Sequence, residues 1–487
     1  MRDSIVSALK EYASRRPDRA AVIANGEQLT YAQLWKDVQG FAAYIASLGF
    51  EKQSRIIVKA STTVGFAVTA LAIHLSGNVH VPLEKTIGPE GLNTVIDELG
   101  AVMAISDIRP KDGAAWVDSA RVCPVAEAHY RSGLTFGFPT PEMICDIMFT
   151  TGTTGKSKGV MESHRAVVAV AENVQYGAEI PDDNVYLIPA PINHASAIRK
   201  LYVSILTGTT AVLLDGYTDV RKFFRYIEDY GVTSVLMPPS AVRMILTLSG
   251  KQLAKYSGSL HHIHTGSAAF PEADKERLCS LLPDTRLYFA YGSSEAGCVS
   301  MFDYSRHRGL ISCVGKPNKN ADIFIVDDEH RRTASDKEHT GLIAISGPVV
   351  MSGYFNEPEL TKTVLRDGVI YTNDIGYIDE NGFVYMLGRR GDVINLGGLK
   401  IAPTEVENIA LRFPGVADCA CFAAEDRLTG AVLKLNVVPE KGAKIDPRDL
   451  ALHMETYLEA YKIPKKIELT DAIPKTPNGK TDRKRLR

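Results

Sequence analysis

From about residue 140 to residue 292 the chain alternates short β-branched runs with helical patterns, and no other feature restricts its fold as tightly. DIMFTT, VYLIPAP, TTAVLLD, TSVLMPP, HHIHTGS and RLYFAYG read as strands, while DVRKFFRYIEDYG, SAVRMILTL and PEADKERLCSLL carry the apolar spacing of helices. Such alternation requires crossover connections, so it predicts βαβ units and a mostly parallel sheet with helices on its faces. AAVIA, RIIVKA and VHVPL repeat the pattern between residues 20 and 130, which predicts a second layered subdomain. Past residue 320 the pattern changes to short strands and turns (ADIFIVDD, GLIAISG, GFVYML), the mark of a small antiparallel, β-barrel-like part.

A chain of 487 residues exceeds what one hydrophobic core organises, so several domains are expected. The charged, glycine-flanked stretch at 388–392 (GRRGD) has the composition of a joint, and beyond it DVINLGG, PTEVENIALRF, VADCACFA, VLKLNVVP and DLALHMETYL form a pattern of their own. The predicted organisation is α/β, with a large N-terminal domain (1–388) of layered βαβ subdomains plus the barrel-like part. A hinge (389–392) leads to a small α+β C-terminal domain (393–487). Apolar residues at 45% and charged residues at 23% are ordinary for a folded globular protein. A net charge of -2 gives no reason to expect a polyanion such as nucleic acid as partner. Seven scattered cysteines without a C-x-x-C pair fit a reducing cytoplasm. The N-terminal stretch lacks the apolar segment of a signal peptide, and VGFAVTALAIHL at 64–75 is too short to span a bilayer; both predict a cytoplasmic chain without a membrane anchor.

The run FTTGTTGKSKGV at 149–160 cannot be a core element. Repeated Gly and hydroxyl residues after a strand and shortly before a helical pattern offer many N–H and O–H donors around a concave loop, which suits phosphate, and Lys156 and Lys158 add charge. Gly155-Lys156-Ser157 supplies the second half of a Walker A loop, but Thr150 stands where its opening Gly belongs, which opposes a P-loop NTPase. A solvated Gly/Thr-rich linker is the plain alternative.

Four further motifs follow in order: YGSSEAG (291–297), YTNDIG (371–376), GRRGDVINLGGLKIAPTEVE (388–407) and PKTPNGKTDR (474–483). With TTGTTGKSKG they resemble the signature series of the adenylate-forming superfamily, which comprises acyl- and aryl-CoA ligases, peptide-synthetase adenylation domains and beetle luciferases. The resemblance covers nearly the whole chain. It implies a two-step reaction in which a carboxylate attacks the α-phosphate of ATP, pyrophosphate leaves, and a thiol displaces AMP from the acyl-adenylate to form a thioester. Coenzyme A is the expected thiol, with the phosphopantetheine of an acyl-carrier protein as the alternative.

Each motif residue then acquires an expected role. Thr150, Thr151, Gly152, Thr153, Thr154, Gly155 and Lys158 hold the β- and γ-phosphates with preorganised donors. Glu295 is a hard oxygen ligand for Mg²⁺, and Ser293 and Ser294 sit beside it, Ser294 retaining a hydroxyl for the α-phosphate. Tyr291 stacks on adenine, with Gly266, Ser267 and Ala268 lining the base's other side, although a core tyrosine would read the same. Asp374 accepts from the ribose diol and Arg389 adds a contact, although an exposed arginine near a joint would read the same. Lys480 stabilises charge that peaks as carboxylate and phosphorus bond. Because Lys480 and the thiol cannot share the site, the C-terminal domain is expected to rotate about Gly391, a position more often Asp or Lys in relatives. After rotation Gly397, Gly398 and Leu399 meet the pantetheine arm. Pro474 and Gly479-Lys480 also keep the P-x-x-x-x-G-K spacing of relatives inactivated by acetylation of that lysine.

For the acid, the stretch PINHASAIRK lacks the Asp that amino-acid-activating relatives set against an α-ammonium, so a small acid without an α-amine is expected. His194 resembles the gate between acyl pocket and nucleotide, with a hydrogen-bonded structural histidine as alternative. Gly266 and Gly292 are assigned to the acid pocket as well. Arg199 is either a partner for a second carboxylate on the substrate or an arginine whose head snorkels to solvent. In HHIH (261–264) only His262 and His264 share a strand face, too few for a metal centre, and CAC (419–421) reads as a core strand face.

Overall fold

The computed structural model describes residues 2–111, 113–150, 158–266, 268, 270–396, 399–426, 430–475 and 481–486. Strands Ala20–Ala24, Thr210–Leu213, Val185–Ile188, Ser234–Leu236, His262–Gly266 and Arg286–Ser293 lie side by side in parallel. Alternate residues of these strands feed two different cores, as a strand's two-residue period requires. Tyr186, Ile188, Ala211, Leu213 and Tyr288 face helices His164–Gly177 and Ala195–Thr207. Leu187, Val212, Val235, Ile263 and Leu287 face helices Val220–Asp229, Pro239–Leu248 and Glu272–Leu281.

A second, seven-stranded sheet carries the strands predicted from RIIVKA and VHVPL, Arg55–Lys59 and Val79–Leu83, and adds Met103–Ile105 and Ala115–Val117, which the sequence reading did not single out, in parallel with Ile144–Thr150. AAVIA itself joins the first sheet instead. Helix Val64–Leu75 is buried along its whole length between layers, and among the described residues no helix is long and apolar enough to cross a membrane.

The antiparallel part after residue 320 does not close into a barrel among the described residues. Strand Cys313–Pro317 pairs on one side with Gly297–Asp303 and on the other with Val384–Arg389, so the later strands extend the first sheet and leave an open edge at Asp322–Val326. The C-terminal segment builds a three-stranded sheet (Val416–Asp426, Gly430–Pro439, Lys466–Leu469) with helices Pro403–Ala410 and Pro447–Glu455. Its core includes Val406, Ile409, Leu435, Leu450 and Met454; Ile311 is the residue from the earlier chain that packs against it among those described. Cys419 and Cys421 share that core, in keeping with the strand-face reading.

Two buried polar clusters pin the elements that lead to the site. Asp146, four residues before Thr150, accepts from the Tyr202 hydroxyl at 3.0 Å and meets His80 Nδ1 at 2.7 Å and His74 Nε2 at 3.3 Å. Burial pushes the Asp146 carboxyl upward, but the two imidazoles outweigh it and hold the group far below its ordinary value. It therefore stays ionised inside the core. In the C-terminal domain Arg483 pairs with the buried Glu407 and donates to the Cys421 carbonyl at 2.7 Å, which locks the fifth motif onto the fourth.

Candidate active site

The carboxyl ends of parallel strands are where an open α/β sheet takes its ligands, and three of the five motifs come together there. Strand Ile144–Thr150 turns back as strand Lys158–Ser163, antiparallel, with Thr150 and Lys158 as cross-strand partners. The helix expected shortly after the glycine-rich run, at RAVVAVAENV, begins at His164, where Ser163 caps it by accepting from Ala166 N at 3.2 Å. A strand thus intervenes, and the strand–loop–helix context of a P-loop is not what this chain builds. Thr151, Gly152, Thr153, Thr154 and Gly155 lie outside the described residues.

At the end of strand Arg286–Ser293 the chain reverses tightly into Gly297–Asp303, pairing Tyr291 with Ser300 and Ser293 with Gly297. A Cβ at Gly292 would stand 1.7 Å from the Gly297 carbonyl oxygen, so only glycine permits this reversal. The reversal is held from three sides. Ser293 Oγ accepts from Ala296 N at 3.2 Å, the Glu295 carbonyl accepts from Met351 N at 2.7 Å, and Arg199 donates to the Ser293 and Ser294 carbonyls at 3.0 and 2.8 Å.

Arg199 is therefore neither of the two arginines anticipated from the sequence. It is 8% exposed, so it does not snorkel, and its guanidinium also pairs with the buried Glu162 of strand Lys158–Ser163. A substrate carboxylate would have to compete with Glu162 and two carbonyls. One side chain instead ties together the strand leaving the glycine-rich run, the helix headed by His194 and the reversal at 293–297.

On one flank of the reversal Tyr291 donates its hydroxyl to Asp374 Oδ2 at 2.8 Å, and Asp374 is the cross-strand partner of Arg389, whose Nε lies 3.8 Å from Oδ1. Burial first, and then the charge of Asp374, push the Tyr291 phenol well above its ordinary value, so it remains a donor. On the other flank the Tyr354 hydroxyl donates to Glu295 Oε1 at 2.8 Å while the Lys158 ammonium stands 5.4 Å from the Tyr354 ring centroid. Tyr354 escaped the sequence reading because its strand, Gly353–Tyr354, is two residues long and shows no periodicity.

The remaining candidates are more dispersed. His194 is exposed at the N-cap of helix Ala195–Thr207 and makes no side-chain cap bond. Gly266 ends its strand against Ala290, and Ala268 is half-buried beyond it; Ser267 lies outside the described residues. Gly391 is exposed and a Cβ there would meet nothing within 4 Å. Leu399 opens a strand paired to Leu396, while Gly397, Gly398 and Lys480 lie outside the described residues.

Known proteins resemble this chain along nearly its whole length. Residues 9–355 match the AMP-binding enzyme family and residues 405–480 its C-terminal domain. A feruloyl-CoA synthase of an Amycolatopsis species is 30% identical, the match covering 96% of this chain and 95% of that protein. A long-chain-fatty-acid–CoA ligase of Bacillus subtilis is 28% identical over 99% of this chain and 94% of its own. Among solved structures, apo MatB from Rhodopseudomonas palustris superposes with a TM-score of 0.88 at 23% identity, covering 100% of this chain and 98% of that one. The chain accordingly belongs to the AMP-binding enzyme family within the adenylate-forming superfamily, and is an acid–thiol ligase of the acyl/aryl-CoA synthetase type.

Proposed function

We propose that the chain joins a carboxylic acid without an α-amine to ATP, giving an acyl-adenylate and pyrophosphate, and then transfers the acyl group to coenzyme A with release of AMP. The observation that carries this reading is the pair of flanks on either side of the 293–297 reversal. Tyr291, Asp374 and Arg389 form a surface for adenine and ribose, and Glu295, Tyr354 and Lys158 form a charged end for phosphates. Glu295 keeps one carboxylate oxygen clear of the Tyr354 bond and is half-exposed, a hard donor suited to Mg²⁺, which would neutralise phosphate charge. In the first step the acid's oxygen attacks the α-phosphorus and the bond to pyrophosphate breaks, with Lys480 supplying positive charge to the forming linkage. In the second, a thiol attacks the acyl carbon and AMP leaves. A phosphopantetheine thiol on a carrier protein would undergo the same step.

The assay is release of pyrophosphate and AMP over short-chain, long-chain, aryl and dicarboxylic acids, with mass measurement of the thioester. Acid-dependent pyrophosphate and a coenzyme A thioester are expected; ADP and inorganic phosphate would overturn the reading.

The two steps need different neighbours, and we assign residues 1–388 and 393–487 to two bodies that rotate about 389–392. In the described conformation nothing crowds Gly391 and its φ is not left-handed, so glycine is not needed there for fit. What glycine supplies is a second backbone conformation at low cost. Gly391→Pro is expected to reduce one half-reaction at least tenfold more than the other, measured separately as pyrophosphate release and as thioester formation from synthetic acyl-adenylate. Equal losses would remove the hinge assignment.

A further inference from the structure

Next to Arg199 stands a second buried cation with no such partner. Lys200 is 5% exposed, and among the described residues no carboxylate forms an ion pair with it. Lysine is almost never buried unless paired, because an uncompensated ammonium loses its hydration for nothing in return. Its ammonium lies 5.8 Å from the Tyr186 ring centroid, a weak substitute for a counter-ion. Burial, followed by repulsion from Arg199, lowers the Lys200 ammonium to about 8.

The groups around it are equally unsatisfied. Tyr186 and Tyr288 are buried with hydroxyls that find no hydrogen-bond partner among the described residues, and His264 is buried with both ring nitrogens likewise unpartnered. The His264 ring lies 5.1 Å from that of Tyr186 and 5.6 Å from that of Tyr288. Burial, and then Lys200, hold His264 well below its ordinary value, so it is neutral and still carries one N–H to donate. Two hydroxyls and an imidazole without partners among the described residues gather near one ammonium and make a donor-rich cluster in the core, where native proteins satisfy nearly every polar group.

The cluster sits where an acid held for adenylation would extend. His264 is two residues before Gly266 and Tyr288 three before Tyr291 on neighbouring parallel strands, so the cluster lies roughly 7–10 Å along the strands from Gly266 and Tyr291. Lys200 is six residues past His194 along the same helix, about 9 Å at helical rise.

Building on the adenylation reading, we infer that Lys200, with Tyr186, Tyr288 and His264, receives a second carboxylate at the far end of the acid substrate, so that the enzyme selects dicarboxylic acids. The role first considered for Arg199 thus falls to the neighbouring residue, whose charge no carboxylate among the described residues neutralises.

The test measures kcat/KM for pyrophosphate release by the full chain with matched pairs of acids. Alkanoic acids and α,ω-dicarboxylic acids of equal carbon number, from three to ten, are compared, together with benzoate and terephthalate. The best diacid is expected to exceed its monoacid by at least 30-fold. Lys200→Met is expected to lower the diacid value about 100-fold and leave the monoacid value unchanged or higher. Because Met removes an uncompensated charge, the variant should also melt no lower than the wild type. Tyr186→Phe, which deletes one hydroxyl, should reduce the diacid preference without reversing it. A wild-type preference for monoacids across the panel, or a diacid-to-monoacid ratio unchanged in both variants, overturns the inference while adenylation stands. A lower melting temperature for Lys200→Met with an unchanged ratio in Tyr186→Phe also overturns it, since the lysine is then structural, satisfied by water or an inorganic anion. Release of ADP in place of pyrophosphate with every acid defeats the adenylation reading itself.

Discussion

Lys480→Met is expected to slow acyl-adenylate formation by about 100- to 1,000-fold, the usual effect of deleting one preorganised group aimed at transition-state charge. The chain on either side of positions 476–480 is held firmly: Lys475 and Thr481 form an antiparallel bridge, and Asp482 N donates to the Pro474 carbonyl at 2.8 Å. Arg483 then anchors the segment to Glu407 and Cys421, with its side chain only 14% exposed. Anchoring thus belongs to Arg483, and removing the charge at 480 should leave the melting temperature within about 1 °C, the shift that roughly 1 kcal/mol produces in a chain of this length. Thioester formation from synthetic acyl-adenylate should change less than threefold, because Lys480 is assigned to the first step alone. Pyrophosphate release is the deciding measurement: a loss smaller than tenfold would mean that charge at this position does not act on the reaction.

The parallel sheet was legible in the sequence because its strands are buried on both faces. VYLIPAP, TTAVLLD, TSVLMPP and HHIHTGS contain the observed strands Val185–Ile188, Thr210–Leu213, Ser234–Leu236 and His262–Gly266, overrunning each at one or both ends. The strand Lys158–Ser163 was not legible. KGVMES offers Lys, Gly and Glu where strand propensity asks for β-branched residues, and it is a strand because Ile144–Thr150 lies beside it. Barrel closure failed as an expectation for a related reason: short alternating strands specify antiparallel pairing but not which edge they join.

The site was legible as motifs but not as contacts. Tyr291 and Asp374 were each assigned to the nucleotide, yet their hydrogen bond spans 83 residues and no local pattern encodes it. Glu162, Arg199 and Lys200 sit in otherwise apolar segments, MESHRAVVAV and AIRKLYVSIL, and charged residues at core-facing positions are the one signal that was available. Residue type alone would place all three at the surface, whereas all three are buried.

Arg199→Met is expected to be the most destabilising single substitution around the site, costing about 3–5 kcal/mol, since it leaves Glu162 buried without its cation. Burial already holds the Glu162 carboxyl above its ordinary value against the pull of Arg199, and without the guanidinium it rises further. A carboxyl whose folded value exceeds its unfolded one contributes stability below the unfolded value and forfeits it as pH climbs through the folded one. The deficit relative to wild type should therefore be smallest below the ordinary glutamate value of 4.5 and grow as pH rises above it, as read by denaturant unfolding. Replacing both partners separates the two tasks of this arginine. Glu162→Leu with Arg199→Met removes the orphaned charge, so most of the lost stability should return. The Ser293 and Ser294 carbonyls remain without their donor in that double variant, and the reversal that carries Glu295 loses one of its three restraints. Adenylation should consequently stay at least tenfold below wild type in a protein of near-normal stability. Full recovery of rate along with stability would show that Arg199 serves the fold alone, and that the reversal is positioned by Met351 and Ser293 without it.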